Sequence, residues 1–325
     1  MLFPLPAPLQ QAIQSELARF TPAQLREISA ALSIAYRQGA ATPKLSTEIY
    51  RAAYLLTRLP ATYAAVKAVL YELKLRWPEF TPLRLLDLGA GPGTAWWAAG
   101  TTFANLKTTV LFERDAGFVA LGKRLVLGSG YPSEWRVADL KKSTELPPAD
   151  LVTLAYALNE LDITTQTALL KRVRQTDAQA FAIIEPGTKT GFANILRARE
   201  ELLQLGAYIL APCPHADACP MAAQDDWCHF AQRLERSTQH RHAKNAALGY
   251  EDEKYSYLIV SRQPVTPAPS RIVRHPLKLK GHVKLTVCAP EGVRQEVVTA
   301  KTKEVYKNAR KAEWGDAWSE AEARA

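Results

Sequence analysis

A doubly wound α/β domain is the fold this chain predicts, on three observations. An apolar run (Leu83, Leu85, Leu86) leads through Asp87-Leu88-Gly89-Ala90-Gly91-Pro92-Gly93-Thr94 into an apolar stretch, Ala95 to Ala99; this is strand, glycine loop, helix. Short apolar segments then alternate with amphipathic ones as far as Ile184, the pattern of a parallel sheet with helices on both faces. Polar residues recur where those strands end: Asp87, Glu113, Asp139, Asn159 with Glu160, and Glu185. Ligands of such sheets bind at the carboxyl ends of the strands.

Residues 1–80 read as a helical N-terminal domain. Thr21-Pro22-Ala23-Gln24 has the form of a capping box with proline at the first helical position. Leu25, Ile28, Ala31, Leu32 and Ala35 follow at helical spacing. Two more helices are expected over Thr47 to Arg58 and Ala61 to Arg76, with Pro78 and Pro82 closing the region. The sheet domain covers 81–263. Its strands are expected at Thr109 to Phe112, Trp135 to Ala138, Leu151 to Tyr156 and Phe181 to Ile184. Helices are expected at Phe118 to Leu127 and Thr165 to Arg174. The alternation breaks at about 211–249, an expected insertion, and a strand resumes over 255–261. Residues 264–325 shift to a basic composition. There Val283-Lys284-Leu285-Thr286-Val287 alternates like a half-buried strand, so a small β-rich module with a short helical tail is expected.

The glycine loop points to a cofactor. Glycines let the backbone turn tightly and approach a ligand, and the following helix N-terminus favours polar or anionic groups. The spacing is not that of a dinucleotide fingerprint, because Thr94 stands where the third glycine would be needed. An acid two residues before the first glycine, Asp87, suits a ligand with a cationic end, such as the aminoacyl group of S-adenosylmethionine (SAM). Glu113 stands about twenty residues on, where an acid holds ribose hydroxyls. Asp139 is placed to accept from an adenine amino group. No lysine of the phosphate-binding loop type follows the glycines, and no hydrolase elbow occurs.

With 325 residues, 47% of them hydrophobic, the chain can bury a substantial core. Its net charge of +9 favours a polyanionic partner such as nucleic acid, or an anionic membrane surface. Met1 to Gln10 is broken by Pro4, Pro6 and Pro8 and has no basic leader, and no apolar run is long enough to span a bilayer. A soluble, cytoplasmic, monomeric protein is therefore expected. The four cysteines do not form a disulfide framework in a chain of this length. Cys213, Cys219 and Cys228 crowd into one proline-punctuated loop, and Cys288 is distant. Thiolates in such a loop point to a soft metal, zinc or an iron–sulfur cluster. The short C-x2-C knuckle of structural zinc is absent, while His215, His229 and His242 keep zinc open.

Taken together, LLDLGAGPGTAWWAA, LNEL, IIEPG, APCPH…CP…WCHF, GHVKLTVCAPEG and ARKAEWGDAW resemble the methyltransferase-like assembly proteins of the small ribosomal subunit, a family with bacterial and mitochondrial members. The resemblance implies a class I SAM-methyltransferase (Rossmann-like) fold and binding to small-subunit rRNA during assembly. It also implies a [4Fe-4S] cluster, with Cys213, Cys219, Cys228 and Cys288 as its ligands. Catalysis is less marked. Amino-methylating enzymes place Asn or Asp with Pro-Pro and an aromatic after the fourth strand; Ala157-Leu158-Asn159-Glu160-Leu161 lacks that motif and leaves Asn159 and Glu160 as the catalytic candidates. A cysteine nucleophile is not available if all four thiols hold metal, and the C-x3-C-x2-C loop of radical enzymes is absent.

Two readings follow: a SAM-binding, iron–sulfur rRNA methyltransferase of small-subunit biogenesis, or a non-catalytic assembly factor that uses the same fold as an RNA-binding scaffold. A small-molecule methyltransferase is disfavoured by the basic C-terminal module. In that module Arg271, Arg274, Lys278, Lys280 and Lys284 are expected to line an RNA groove. Trp314 and Trp318 are expected to pack rather than stack on bases.

Overall fold

A computed structural model describes residues 1–37, 47–127, 129–142, 145–222, 225–244 and 247–319. Parts of the expected insertion and tail, residues 223–224, 245–246 and 320–325, lie outside the described residues, as does the side chain of Ala35. Four helices come first: α1 (Ala7–Leu17), α2 (Pro22–Arg37), α3 (Glu48–Thr57) and α4 (Leu59–Arg76). The predicted capping box closes α2. Gln24 N donates to Thr21 Oγ1 at 3.3 Å, and Thr21 N donates back to Gln24 Oε1 at 2.9 Å.

The sheet follows as β1 (Arg84–Leu88), α5 (Thr94–Thr102), β2 (Thr108–Glu113), α6 (Ala116–Leu125), β3 (Glu134–Val137), β4 (Leu151–Ala155), α7 (Ile163–Gln175), β5 (Ala180–Pro186), α8 (Lys189–Gln204), β6 (Tyr208–Ala211), β7 (Phe230–Glu235), α9 (Thr238–Lys244) and β8 (Tyr250–Ser261). Side-chain caps start the helices. Asp115 accepts from the N–H groups of Gly117 and Phe118 ahead of α6, Asp162 from Thr165 in α7, and Thr188 from Gly191 in α8. Strand order is β3-β2-β1-β4-β5-β8-β6, with β7 paired to β8. β1 to β5 are parallel. β8 runs antiparallel between β5 and β6, so the sheet is mixed, and the expectation of a wholly parallel one is corrected. This is a doubly wound arrangement, with its switch point between β1 and β4.

Alternation along the strands divides the interior. In β5, Ala180, Ala182 and Ile184 face one layer and Phe181 and Ile183 the other. The first layer is shared with the N-terminal helices, whose Leu9, Leu32, Leu55, Leu59 and Leu70 belong to the same buried cluster as the sheet face. The break at 211–249 is less irregular than its composition suggests. It contains β7 and α9, and β8 begins at Tyr250, earlier than its apolar half predicts. The charged first half of β8 pairs with β7 beyond the end of β5, where polar side chains remain solvated.

A second sheet comprises β9 (Arg271–Ile272), β10 (Leu277–Leu279), β11 (His282–Ala289) and β12 (Gly292–Thr299), followed by α10 (Lys303–Lys311). Its interior holds Val283, Leu285, Val287, Val298, Val305 and Trp318. Trp318 packs as expected, and its Nε1 donates to Glu296 at 2.7 Å. Arg271 does not line a groove: it is 1% exposed. Its guanidinium donates to Glu72 Oε1 on α4 at 2.6 Å, to Pro212 O at 3.2 Å and to Gly315 O at 2.9 Å. Arg274 is paired with Asp226. Among the described residues no helix is long and apolar enough to cross a membrane.

Removing one partner of a buried ion pair strands the other charge. Glu72→Gln is expected to cost on the order of 3 kcal/mol, read as a lowered urea midpoint. A loss under about 0.5 kcal/mol, the size of an exposed pair, would contradict the role given to Arg271.

Candidate functional site

Gly89, Gly91 and Gly93 all take left-handed backbone angles, φ +71, +53 and +88, which glycine adopts without strain. A Cβ on Gly89 would stand 2.6 Å from Ala157 Cβ, and one on Gly93 3.1 Å from the Trp135 ring; one on Gly91 would meet nothing within 4 Å. The middle of the loop is thus an open cradle, and its flanks are packed.

Asp87 lies beneath it, buried. Its Oδ1 accepts from Thr153 Oγ1 at 2.8 Å, and its Oδ2 has no hydrogen-bond partner. Burial pushes its pKa up to about 7. An orphaned buried carboxylate oxygen is costly unless a donor reaches it, so this site fits a ligand bearing an ammonium group. Glu113 ends β2. Its Oε2 accepts from Gly91 N at 2.8 Å and its Oε1 from Asp115 N at 2.8 Å. Each oxygen keeps a second lone pair for a hydroxyl, and burial raises the carboxyl's pKa. Asp139, beyond β3, is half-buried; its Oδ1 accepts from Lys141 N at 3.0 Å in its own turn.

The catalytic candidates sit in a short 3-10 turn, Leu158–Glu160. Asn159 and Glu160 are exposed, and Glu160 is paired with Arg114 at 2.7 Å. The turn is fastened from below by Glu185, which is fully buried. Glu185 accepts from Leu158 N at 3.1 Å and from Asn194 Nδ2 at 3.1 Å, and burial lifts its pKa to about 8. The strand-end pattern marked Glu185 as polar but assigned it no role. Three other residues carried no local signal because they come from separate elements. Tyr156, at the end of β4, is a non-glycine with φ +58; its hydroxyl donates to Glu253 Oε1 at 3.1 Å, and Arg58 pairs with the same carboxylate at 3.1 Å. Backbone strain of this kind concentrates at functional sites.

The four cysteines line one cavity between α8, the loop after β6, β8 and the second sheet. Cys213 and Cys219 come from the loop, Cys228 stands just before β7 and Cys288 near the end of β11. β9–β11 pairing sets Cys288 opposite Arg271. Burial raises the pKa of Cys213 and Cys228, and that of Cys288 to about 12. Among the described residues, as they stand, no three His, Cys, Asp or Glu side chains form a group that could hold a metal ion. The histidines divide. His215 lines the cavity, its Nε2 4.0 Å from Cys288 Sγ. His229 stacks on Trp227, and His242 lies exposed on α9. Two nitrogens of the lining residues, Arg199 Nε and His215 Nδ1, are buried without hydrogen-bond partners. Four thiols beside unanswered nitrogen atoms suit a sulfur-rich anionic group.

Glu185 yields a test by pH. Its folded pKa lies above the unfolded value of about 4.5. Its contribution to stability is therefore complete below pH 4.5 and is lost as pH rises through about 8. The melting-temperature advantage of wild type over Glu185→Gln should fall between pH 5 and 8.5, by the equivalent of a few kcal/mol. A difference that stays flat with pH would refute the raised pKa.

A family model described as the mitochondrial small ribosomal subunit Rsm22 matches residues 49–319. The chain is 28% identical over 291 residues to the human protein "Ribosome assembly protein METTL17, mitochondrial", covering 83% of this chain and 62% of that protein. It is 26% identical over 325 residues to "Rsm22-cox11 tandem protein 2, mitochondrial" of Schizosaccharomyces pombe, covering 81% of this chain and 42% of that protein. The chain thus spans less than two thirds of the length of these relatives. Among solved structures, an O-methyltransferase family protein from Burkholderia thailandensis aligns with a TM-score of 0.43 at 13% identity, over 66% of this chain and 59% of that one. Since the family pattern runs from α3 through the second sheet and beyond α10, the chain belongs to the Rsm22 family.

Proposed function

We propose that this Rsm22-family chain binds SAM at the glycine loop and a [4Fe-4S] cluster in the cysteine cavity, and acts on small-subunit rRNA during ribosome assembly. The observation that carries this reading is the shared cavity: three cysteines beside the methyltransferase-type sheet meet a fourth from the basic module. Relatives named as mitochondrial ribosome assembly proteins support the rRNA assignment.

In this reading Asp87 receives the ligand's ammonium group, Glu113 holds the ribose hydroxyls and Asp139 accepts from the adenine amino group. Gly91 leaves room for close approach. Cys213, Cys219, Cys228 and Cys288 hold the cluster, which when bound supplies a redox-active cross-link between the two sheets; zinc on the same cysteines is the alternative. Exposed Lys278, Lys280 and Lys284 carry no ion pair among the described residues and meet phosphates. They ring the edge strand β10. Lys284 shares a face with exposed Leu277 and Val297, while Lys278 pairs with Val283 on the other face. SAM supplies an electrophilic methyl group, and rRNA methylation is the activity this reading assigns to the site. One observation favours the scaffold reading instead: Asn159 and Glu160 are exposed, and Glu160 is committed to Arg114.

Gly91→Val puts a β-branched residue at φ +53 in the open cradle. Calorimetry should show SAM binding lost, with the fold retained by circular dichroism. An affinity equal to wild type would reject the SAM site.

Replacing Lys278, Lys280 and Lys284 together by Gln should weaken binding to a small-subunit rRNA fragment. It should also flatten the log–log salt dependence by roughly 0.7 per lost phosphate contact on a single strand. Filter binding across a salt series reads the slope; an unchanged slope would leave these lysines as a solvated surface.

A further inference from the structure

Arg199 is an unusual residue to bury. It stands on α8, 4% exposed, and lines the cysteine cavity. One terminal nitrogen, Nη2, donates to two carbonyls of the cysteine loop, His215 O at 3.0 Å and Asp217 O at 2.6 Å. Both lie between Cys213 and Cys219, so α8 grips the loop segment that spaces those two thiols. No carboxylate pairs with Arg199 among the described residues. Its Nε–H is buried with no acceptor, and its charge faces both Cys213 and Cys288. His215, whose carbonyl Arg199 holds, presents Nε2 to Cys288 Sγ at 4.0 Å.

A buried guanidinium without a counter-charge is costly, and two carbonyl bonds to one of its nitrogens leave the charge itself unpaired. The missing partner must be anionic and must come from the cavity side. Four thiolates around a metal group carry net negative charge and offer sulfur acceptors.

We propose that Arg199 is a positioning residue of the cysteine site: it sets the Cys213–Cys219 loop for ligation and supplies the buried counter-charge of the bound group. This rests on the cluster reading above. Arg199 does not itself ligate. Its grip on two carbonyls fixes geometry, while its charge favours the thiolate-bound form and the reduced state of the cluster. Lysine preserves the charge but is one atom shorter than the arginine whose Nη2 reaches both carbonyls, and glutamine preserves a donor but removes the charge.

The test uses the full chain purified without oxygen, as wild type, Arg199→Lys and Arg199→Gln. Iron and acid-labile sulfide are measured, with the rate of iron loss to a chelator and the midpoint potential in a dithionite titration followed by electron paramagnetic resonance. Wild type should contain about four of each per chain. Both variants should lose iron faster, by about ten-fold or more. Only Arg199→Gln should move the midpoint clearly negative, which a merely structural role would not do. If Arg199→Gln fails to fold, Arg199→Lys carries the test through its chelation rate. A wild type with cluster, and folded variants matching it in iron content, chelation rate and potential, would overturn this proposal and leave the cluster reading standing. Zinc without sulfide in wild type would overturn the cluster reading, and with it the charge-tuning role.

Discussion

The buried guanidinium of Arg271 is the constraint on which the assembly of the chain depends. A charge in a low-dielectric interior is least costly when it is paired and each of its nitrogens has an acceptor. Arg271 meets that condition with three partners from three distant segments: Glu72 on α4, the carbonyl of Pro212 at the head of the cysteine loop, and the carbonyl of Gly315 after α10. The same residue pairs with Cys288 across β9 and β11. One satisfied charge therefore holds the helical layer, the cysteine loop and the second sheet in a single relation.

β5 connects the two candidate sites. At its end Glu185 fastens the turn that carries Asn159, and Ala157 of that turn packs where a side chain on Gly89 would stand. Across the strand pair Glu185 faces Ser256, whose hydroxyl donates to Cys228 O at 2.8 Å. Two residues on, Gly187 donates to Lys254 O at 2.9 Å and accepts from Trp227 Nε1 at 2.9 Å, next to Cys228. α8 begins directly after this segment and carries both Asn194, on Glu185, and Arg199, at the cysteines. β5 and the helix after it thus brace the turn beside the glycine loop, and β8 and α8 carry that contact on to the cysteines.

Charge is partitioned in the same way. The arginines nearest the cavity are spent internally, Arg271 on Glu72, Arg274 on Asp226, and Arg199 on loop carbonyls. The lysines of the second sheet's edge are left to solvent. Arginine suits the internal task because its planar fork answers several acceptors at once, and lysine suits a phosphate-facing surface as a mobile point charge.

Much of this was legible in the sequence, for physical reasons that differ by element. The glycine loop, the capping box of α2 and the strands of the sheet are written locally, since positive φ, caps and two-residue alternation each depend on neighbours in the chain. The family resemblance likewise rests on contiguous segments and points to all four cysteines. Composition alone reports that Arg271 is basic and that residues 211–249 are irregular. It does not report that the arginine is buried, that β7 and α9 lie within the irregular stretch, or that β8 runs antiparallel. Nor does it mark Arg58, Tyr156 and Glu253, which meet from three separate elements, or Arg199 as the companion of the cysteines. By itself the sequence determined the fold class, the glycine loop and the cluster of cysteines around 213–228, because each is encoded over a few adjacent positions. Which charges are internal, which face solvent and which thiols share a cavity was decided only by the tertiary structure, because desolvation depends on what the rest of the chain packs against each group.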